Sequence, residues 1–197
     1  GDSRWISGEL SRNYVHKIRN DVDAIMVGTE TVLKDNPRLT CRLENDLVRH
    51  PIRIILDRRN RIPLTANVFK NSRSQKVIYV TGSNISAVRQ KALLARKVEV
   101  LTLKTGTTGF HMKPLLKELA NKEINSMLVE GGAELNASIL KAGGVDRILL
   151  FISPKLIGGS KAPGFLGGQG VMTVAGAMKL ENIEVTKMGE DLMVEAN

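Results

Sequence analysis

A carboxylate and two glycines follow a short apolar run in the segment Val129-Glu130-Gly131-Gly132-Ala133. A buried strand that turns through glycines into a helix leaves free N–H groups at the helix N-terminus, where phosphate groups bind. The segment lacks the G-x-G-x-x-G and G-x-x-x-x-G-K-S/T fingerprints, so an ordinary tight turn explains the glycines equally well. Glu130 is harder to explain structurally, because a carboxylate at the end of a buried strand is costly unless it is paired or functional.

Two further loops carry polar groups directly after predicted strands. The loop at 28–42 contains hydroxyl groups, a carboxylate at Asp35 and two arginines, although Asp35-Asn36-Pro37 alone is typical of a turn. The loop at 154–160 is rich in glycine. We expect these two loops and the one at Glu130 to open on one edge of a sheet and to form a pocket there.

Alternating strand and helix patterns position these loops. Apolar runs predict strands at 24–27, 52–56, 77–80, 98–103, 126–129 and 147–152, and apolar periodicity predicts helices at 8–20, 29–34, 85–96, 112–120 and 133–141. Ser7 is the predicted N-cap of the first helix, and the segment at 58–74 is predicted to be polar and irregular. The alternation implies crossover connections and a largely parallel sheet in one α/β domain, closed by an antiparallel hairpin of 183–185 with 192–194.

The composition excludes several classes of protein. The 197 residues include one cysteine and three scattered histidines, so neither a disulfide framework nor a metal site is predicted. No apolar run approaches the roughly 18 residues of a spanning helix, so we predict no membrane segment. The net charge of +9 would suit nucleic acid, but an aromatic content of 4% offers few platforms for base stacking. Basic residues on a solvated surface, or a site for small phosphorylated ligands, are the alternatives, and no nucleic-acid partner is predicted.

Five motifs occur in one order and spread over most of the chain. They are Ser3-Arg4-Trp5-Ile6-Ser7, Gly28-x-x-Thr31-x-x-x-Asp35-Asn36-Pro37-x-Leu39-x-x-Arg42, Pro51-Ile52-Arg53-Ile54-Ile55-Leu56-Asp57, Val129-Glu130-Gly131-Gly132 and Pro154-Lys155-Leu156-Ile157-Gly158-Gly159. In this order and spacing they resemble the reductase domain of the bifunctional riboflavin-biosynthesis deaminase/reductases (RibD/RibG type). All of 1–197 is then expected to form that reductase domain.

The resemblance implies a dihydrofolate-reductase-like α/β fold, with a mostly parallel central sheet flanked by helices and a C-terminal antiparallel hairpin. It also implies that NADPH reduces the ribosyl group of 5-amino-6-(5-phosphoribosylamino)uracil to the ribitylamino product, with hydride passing to C1′. The alternatives are another NADPH-dependent reductase of this fold directed at a pterin or folate, and the basic nucleic-acid-binding domain.

The resemblance also assigns site residues by position. Those expected to contact NADPH are Trp5, Thr31, Asp35 and the backbone of Gly132, Ala133, Glu134, Leu135, Asn136, Ala137 and Ser138. Those expected to line the substrate are Ser3, Arg19, Leu39, Arg42 and Glu130. Arg19 and Arg42 are assigned to the sugar phosphate, because guanidinium forks match phosphate oxygens. Glu130 is the catalytic candidate, which would hold the pyrimidine or ribosyl end and assist proton transfer.

The sequence departs from the family pattern in two places. Arg58 follows Asp57 where the family usually has Ser or Thr, and it would meet the cofactor's 2′-phosphate or face solvent. The family also has an additional strand and a zinc deaminase domain before the position of Gly1, and these 197 residues contain no His/Cys/Cys deaminase signature. The resemblance therefore implies fusion to a zinc deaminase domain, together with a homo-oligomeric, cytoplasmic enzyme.

Overall fold

The computed structural model describes residues 5–43, 48–106, 109–159, 162 and 164–197. Its helices are α1 (Glu9–Asp21), α2 (Thr29–Asp35), α3 (Ala87–Ala95), α4 (Met112–Ala120) and α5 (Ala133–Lys141). Its strands are β1 (Ala24–Gly28), β2 (Ile52–Leu56), β3 (Val77–Thr81), β4 (Glu99–Thr102), β5 (Met127–Val129), β6 (Ile148–Ile152), β7 (Glu184–Met188) and β8 (Asp191–Ala196). Two short 3-10 helices lie at Asn67–Phe69 and Val174–Gly176.

A parallel sheet of five strands forms the centre of the fold, in the order β4-β3-β2-β1-β5. In the middle of this sheet Met26 pairs with Ile54 on one side and with Val129 on the other. Alternate residues of each strand enter two separate cores, one on each face, and α4 and α5 contribute to the core that contains Met26. Burial on both faces explains why these strands are continuous apolar runs, and the predicted α/β fold is confirmed.

A second, antiparallel sheet contains the predicted C-terminal hairpin. Its order is β6-β8-β7, so β8 pairs with β6 on one side and with β7 on the other. The hairpin is confirmed, but the expectation that the loop after β6 opens on the same sheet edge as those after β1 and β5 is wrong. The apolar run at 147–152 predicted a strand without indicating which sheet it joins, because direction and partner are set by tertiary packing.

The N-terminus of α1 is capped by a residue from the far end of the chain. Gly8 occupies the N-cap position instead of the predicted Ser7, and it provides no side-chain cap. Asp191 of β8 substitutes for it: its Oδ2 accepts hydrogen bonds from the Gly8 amide and the Ser11 hydroxyl, both at 2.6 Å. These two bonds, Ser11 first, hold the pKa of Asp191 below its usual value. The second sheet is thereby fastened to the helix that carries Arg19.

The segment at 58–74 contributes to the core, although the sequence predicted it to be polar and irregular. Ile62, Val68 and Phe69 are buried against the parallel sheet. The backbone there is held by the fully buried Arg53, whose Nη1 donates to the carbonyl oxygens of Val68 and Lys70. The irregular course is confirmed apart from the short 3-10 helix at Asn67–Phe69, but the prediction of a polar segment is wrong, because scattered single apolar residues carry no periodicity.

Candidate functional site

Glu130 continues β5 at the carboxyl edge of the parallel sheet, where ligands of such sheets bind. Its amide donates to the carbonyl oxygen of Met26 at 3.0 Å, so the backbone is still held against β1 at the point where the strand ends. The backbone of Glu130 is therefore placed at the edge that also carries Thr29, the first residue of α2.

Arg19 and Glu130, both predicted substrate residues, form a two-pronged ion pair. Arg19 Nε lies 2.7 Å from Oε1 and Nη2 lies 2.5 Å from Oε2. The third nitrogen, Nη1, donates to the carbonyl oxygen of Thr40 at 3.1 Å. The side chains are 14% and 25% exposed, so the pair is partly shielded from water. The phosphate contact predicted for Arg19 would require it to exchange one of these partners, and that contact stays a prediction.

A cavity of about 240 Å³ opens beside this ion pair, and we call it the arginine cavity. It is lined by Ser7, Ser11, Arg12, Val15, His16, Arg19, Arg42 and Phe151. Arg12, His16 and Arg19 lie at positions i, i+4 and i+7 of α1 and therefore share one helix face. Arg42 comes from the loop after α2, so the structure brings together two predicted phosphate ligands, Arg19 and Arg42, that are 23 residues apart in sequence.

His16 is the principal residue that the sequence did not predict. It is 8% exposed, and both ring nitrogens face Arg42: Nδ1 lies 3.3 Å from the backbone nitrogen and Nε2 lies 3.3 Å from Nε. Burial, followed by the charges of Arg19 and Arg42, lowers its pKa to about 4. The ring is therefore neutral at pH 7. The available signal was the helical spacing of Arg12, His16 and Arg19, which is visible only if the histidine is considered together with the arginines.

The N-terminus of α5 is open, as an anion site requires. Gly132 is its N-cap without a side-chain cap, and the amides of Ala133 and Glu134 have no hydrogen-bond partner in the part of the chain that the structure describes. A side chain at Gly131 would place its Cβ 2.6 Å from Leu135, so packing explains that glycine. A Cβ at Gly132 would instead point into open space 4.0 Å from the hydroxyl of Thr31. Thr31 and Gly132, both predicted cofactor residues, are neighbours, and the cradle fits a diphosphate.

Most side chains in the rest of the predicted cofactor segment, 134–138, contact other parts of the protein instead of lining an open site. Glu134 accepts the Gly168 amide at 3.0 Å, and the Asn136 side chain donates to the Phe165 carbonyl at 2.8 Å. The side chain of Leu135 is in the core, and that of Ser138 donates to the carbonyl of Glu134. Ala137 and Ser138 lie beyond the first turn, where amides bond within the helix. The geometry thus favours the first-turn amides for anion binding, and contacts at the other positions stay predictions.

Four predicted residues remain, and three of them lie in the part of the chain that the structure describes. Trp5 is exposed, with the guanidinium carbon of Arg12 4.4 Å from the centroid of its ring. Asp35 is exposed at the C-terminus of α2. Leu39 is 3% exposed with its side chain in the core and has φ 53°, so only its backbone could reach a ligand. Ser3 lies outside the described residues, so its predicted role stays a prediction.

Arg58, expected to meet a 2′-phosphate or face solvent, is half-buried and donates through Nη1 to the Gly106 carbonyl at 2.8 Å. The described residues contain no group of three or more His, Cys, Asp or Glu side chains that could hold a metal ion. Nor does any helix in those ranges combine the length and apolar character needed to cross a membrane.

Known proteins resemble this chain over nearly its whole length. It is 36% identical over 196 residues to the riboflavin biosynthesis protein RibD of Actinobacillus pleuropneumoniae, which covers 99% of the chain and 51% of the relative. It is 37% identical over 194 residues to the 2,5-diamino-6-ribosylamino-4(3H)-pyrimidinone 5′-phosphate reductase of Methanothermobacter thermautotrophicus, which covers 98% of the chain and 88% of the relative.

A solved structure shows the same fold. The deaminase/5-amino-6-(5-phosphoribosylamino)uracil reductase of Thermotoga maritima superposes with a TM-score of 0.80 at 31% identity, over 100% of this chain and 51% of the other. The chain therefore spans about half the length of two of these three relatives. The model of the RibD C-terminal domain matches residues 1–194. This chain belongs to the RibD C-terminal domain family.

Proposed function

We propose that this chain is a reductase that uses NADPH to convert 5-amino-6-(5-phosphoribosylamino)uracil to its ribitylamino product. The observation that carries the proposal is the position of the Arg19–Glu130 pair between the open N-terminus of α5 and the arginine cavity. One side of the pair offers a site for a dinucleotide's diphosphate and the other a site for a sugar phosphate. The names of the relatives, which include phosphoribosylaminopyrimidine reductases, support this substrate class.

The bound cofactor would supply a hydride from C4 of its nicotinamide to C1′ of the opened, imine form of the ribose. The chain's contribution is to hold the two reactants in register, which can lower the barrier substantially without any covalent step. The first-turn amides of α5 would bind the diphosphate, with Thr31 beside them. Trp5 and Asp35 are assigned to the same cofactor on the strength of the family resemblance.

Glu130 would accept an N–H from the pyrimidine or the ribosylamino nitrogen and so orient C1′. Because Arg19 grips both carboxylate oxygens, the side chain is prevented from rotating away. The overall reaction consumes one proton in addition to the hydride, and Glu130 is the group in reach of the substrate that we assign to assist its transfer. Arg42 would bind the phosphate within the arginine cavity.

We further propose that the native protein carries an upstream zinc deaminase domain, which the relatives' lengths support, and that it is a homo-oligomeric enzyme of the cytoplasm, which the family resemblance alone implies. RibD relatives are about twice the length that this chain matches. A deaminase would supply the substrate, because its product carries the 2-oxo group of the uracil ring. The reductase of Methanothermobacter thermautotrophicus is named for the 2-amino ring instead, so the order of the two steps is open to test.

A single-turnover experiment tests the proposed function. The chain is titrated with NADPH and with NADH, and oxidation is then followed at 340 nm after adding the uracil or the 2,5-diaminopyrimidinone phosphoribosyl compound. We expect saturable binding, a preference for NADPH, and rapid oxidation with the uracil. NADPH oxidation that occurs with added dihydrofolate but with neither phosphoribosyl compound would favour the pterin or folate alternative. Salt-sensitive binding to DNA or RNA without any NADPH binding would favour the nucleic-acid alternative.

A further inference from the structure

The contacts between His16 and Arg42 contain a conflict that a ligand would resolve. Arg42 presents a donor to each ring nitrogen, its backbone N–H to Nδ1 and its Nε–H to Nε2, both at 3.3 Å. A neutral imidazole has one lone pair and one N–H, so it can accept only one of these bonds. At the other nitrogen two donors face each other with no acceptor between them.

Protonation of the ring does not remove the conflict. An imidazolium would have N–H groups on both nitrogens and would face two donors instead of one. The ring is also buried next to the charged Arg19 and Arg42, and the paired carboxylate of Glu130 is the acidic group that opposes them. His16 is therefore neutral at pH 7, and one additional acceptor is required.

The rest of the arginine cavity has the same excess of donors. Of its three arginines, Arg19 is matched by Glu130, while Arg12 and Arg42 have no carboxylate partner in the part of the chain that the structure describes. Arg12 donates to the Ser7 carbonyl, and the Ser11 hydroxyl donates to Asp191. The unmatched charge is about two positive units, which is the charge that a phosphate monoester dianion would balance.

We propose that His16 is a further substrate-binding residue, whose Nε2–H donates to a phosphate oxygen shared with Arg42 while Nδ1 accepts the Arg42 amide. The phosphate oxygen would lie between the two donors that now face each other. Arg12, which the sequence did not predict, would contribute the second unmatched charge. The inference rests on the proposed function, since it assigns the phosphate of that substrate to this cavity.

Two substitutions of His16 distinguish this role from a structural one. In His16→Asn the side-chain amide takes the place of Nδ1, so it can still accept the Arg42 amide but cannot reach the phosphate. In His16→Gln the amide N–H takes the place of Nε2, so it can donate to the phosphate. Ribose 5-phosphate is the probe and ribose is its uncharged control, with both affinities measured by calorimetry on the full-length protein.

We expect the wild-type protein to bind ribose 5-phosphate at least tenfold more tightly than ribose. His16→Asn should lose about tenfold in affinity for the phosphate, whereas His16→Gln should stay within about threefold. Affinity for ribose and for NADPH should not change in either variant. Retention of the phosphate affinity by His16→Asn, its loss in His16→Gln, or equal binding of ribose and ribose 5-phosphate would each overturn the proposal.

Nitrogen-15 NMR of the unsubstituted protein provides a second test, independent of how the variants fold. The His16 resonances are assigned as those that are missing in His16→Asn. We expect them to show a protonated Nε2 and an unprotonated Nδ1 at pH 7. We also expect ribose 5-phosphate to shift the Nε2 resonance. The opposite tautomer would overturn the proposal. Neither measurement requires turnover, so a protein that binds ribose 5-phosphate through His16 but oxidises no NADPH would refute the proposed function alone.

Discussion

Two carboxylates lie at the carboxyl edge of the parallel sheet, each after a strand that pairs with β1, and each has an arginine beside it. Asp57, after β2, is 0% exposed and accepts hydrogen bonds from the Thr29 hydroxyl, the Ile62 amide and the Tyr79 hydroxyl. Arg89 lies 3.9 Å away, as a fourth partner. Glu130, after β5, is partly exposed and is held by Arg19, which lines the arginine cavity. The first carboxylate is enclosed by donors from the protein, and the second is held in place with one side open.

The difference shows what separates a structural carboxylate from a candidate catalytic one. Burial, followed by the charge of Asp57, raises the pKa of the Tyr79 hydroxyl, so Tyr79 stays protonated across the physiological range. It braces β2, β3 and the segment that contains Ile62. The Arg19–Glu130 cluster braces α1 against β5, and its arginine also lines the arginine cavity. Both carboxylates follow a buried strand, so their position in the sequence does not separate them.

Glu130→Gln should produce the largest effect on turnover. The amide keeps the shape of the side chain but loses the charge that orients the substrate and assists the proton, so we expect turnover to fall about 10²-fold. NADPH affinity should stay within about twofold, because the first-turn amides of α5 are untouched. Stopped-flow oxidation of NADPH measures the first quantity and fluorescence titration the second.

The matched control is Glu99→Gln, which removes a carboxylate paired with Lys76 and Lys122 outside the arginine cavity. It should leave turnover unchanged. Unchanged turnover in Glu130→Gln would remove that residue from the mechanism and would leave both strand-end carboxylates with structural roles.

Asp57→Asn should produce the opposite pattern, with a large loss of stability and little loss of turnover per folded molecule. The new amide N–H would face donors from Ile62 and Tyr79, so we expect the free energy of unfolding to fall by about 2–4 kcal/mol. Urea denaturation followed by circular dichroism measures this loss. If Asp57→Asn proved as stable as the wild-type protein, the hydrogen bonds around Asp57 would not contribute the stability that is assigned to them here.

Arg42→Ala should act on the substrate alone. Removing a guanidinium from the arginine cavity should raise the KM for the phosphoribosyl substrate about tenfold, which corresponds to about 1.4 kcal/mol. The KM for NADPH should stay within about twofold. Arg49→Ala is the control, because Arg49 pairs with Asp23 and does not line the cavity. Equal increases in both KM values for Arg42→Ala would show that Arg42 is not specific to the sugar phosphate.

Local sequence patterns predicted the helices and strands, whereas the cap of α1 and the ion pair of the candidate site depend on contacts between residues that are distant in sequence. The predicted helix at 133–141 matches α5, because amphipathic spacing and a glycine cap are local signals. Ser7 was predicted as the cap of α1, but the acceptor is Asp191, which lies 183 residues from Gly8. Likewise the ion pair joins residues 111 positions apart. No pattern within one helix or strand contains such information.

The candidate site divides in the same way. Glu130 could be singled out only together with Asp57, because each is a charge at the end of an apolar strand and is anomalous in the sequence itself. The sequence did not single out His16, because a lone histidine on a helix is common. Its proposed role in binding depends on the two nitrogens of Arg42 that face its ring. The family resemblance supplied Arg19 and Arg42 by position. The structure adds that Arg19 holds Glu130 while Arg42 faces His16.

The smallest of these effects should be a pH dependence of stability that comes from His16, which lies beside the Arg19–Glu130 pair. The Asp57 cluster, as far as the structure describes it, contains no such histidine. His16 has a pKa of about 4 in the folded protein, below its ordinary value of 6.5, so the unfolded chain binds its proton first as the pH falls. Stability should therefore fall between about pH 6.5 and pH 4, by on the order of 1 kcal/mol at pH 5. The groups that face the ring are Arg19 on the same helix, Arg42 after α2, and Glu130 after β5.

Urea denaturation at pH 7 and pH 5 measures this loss of stability. The free energy of unfolding should fall less in His16→Asn than in the wild-type protein, because the variant has no proton to take up at this position. An equal loss in both would mean that the ring titrates normally and that the donors around it are free to move apart.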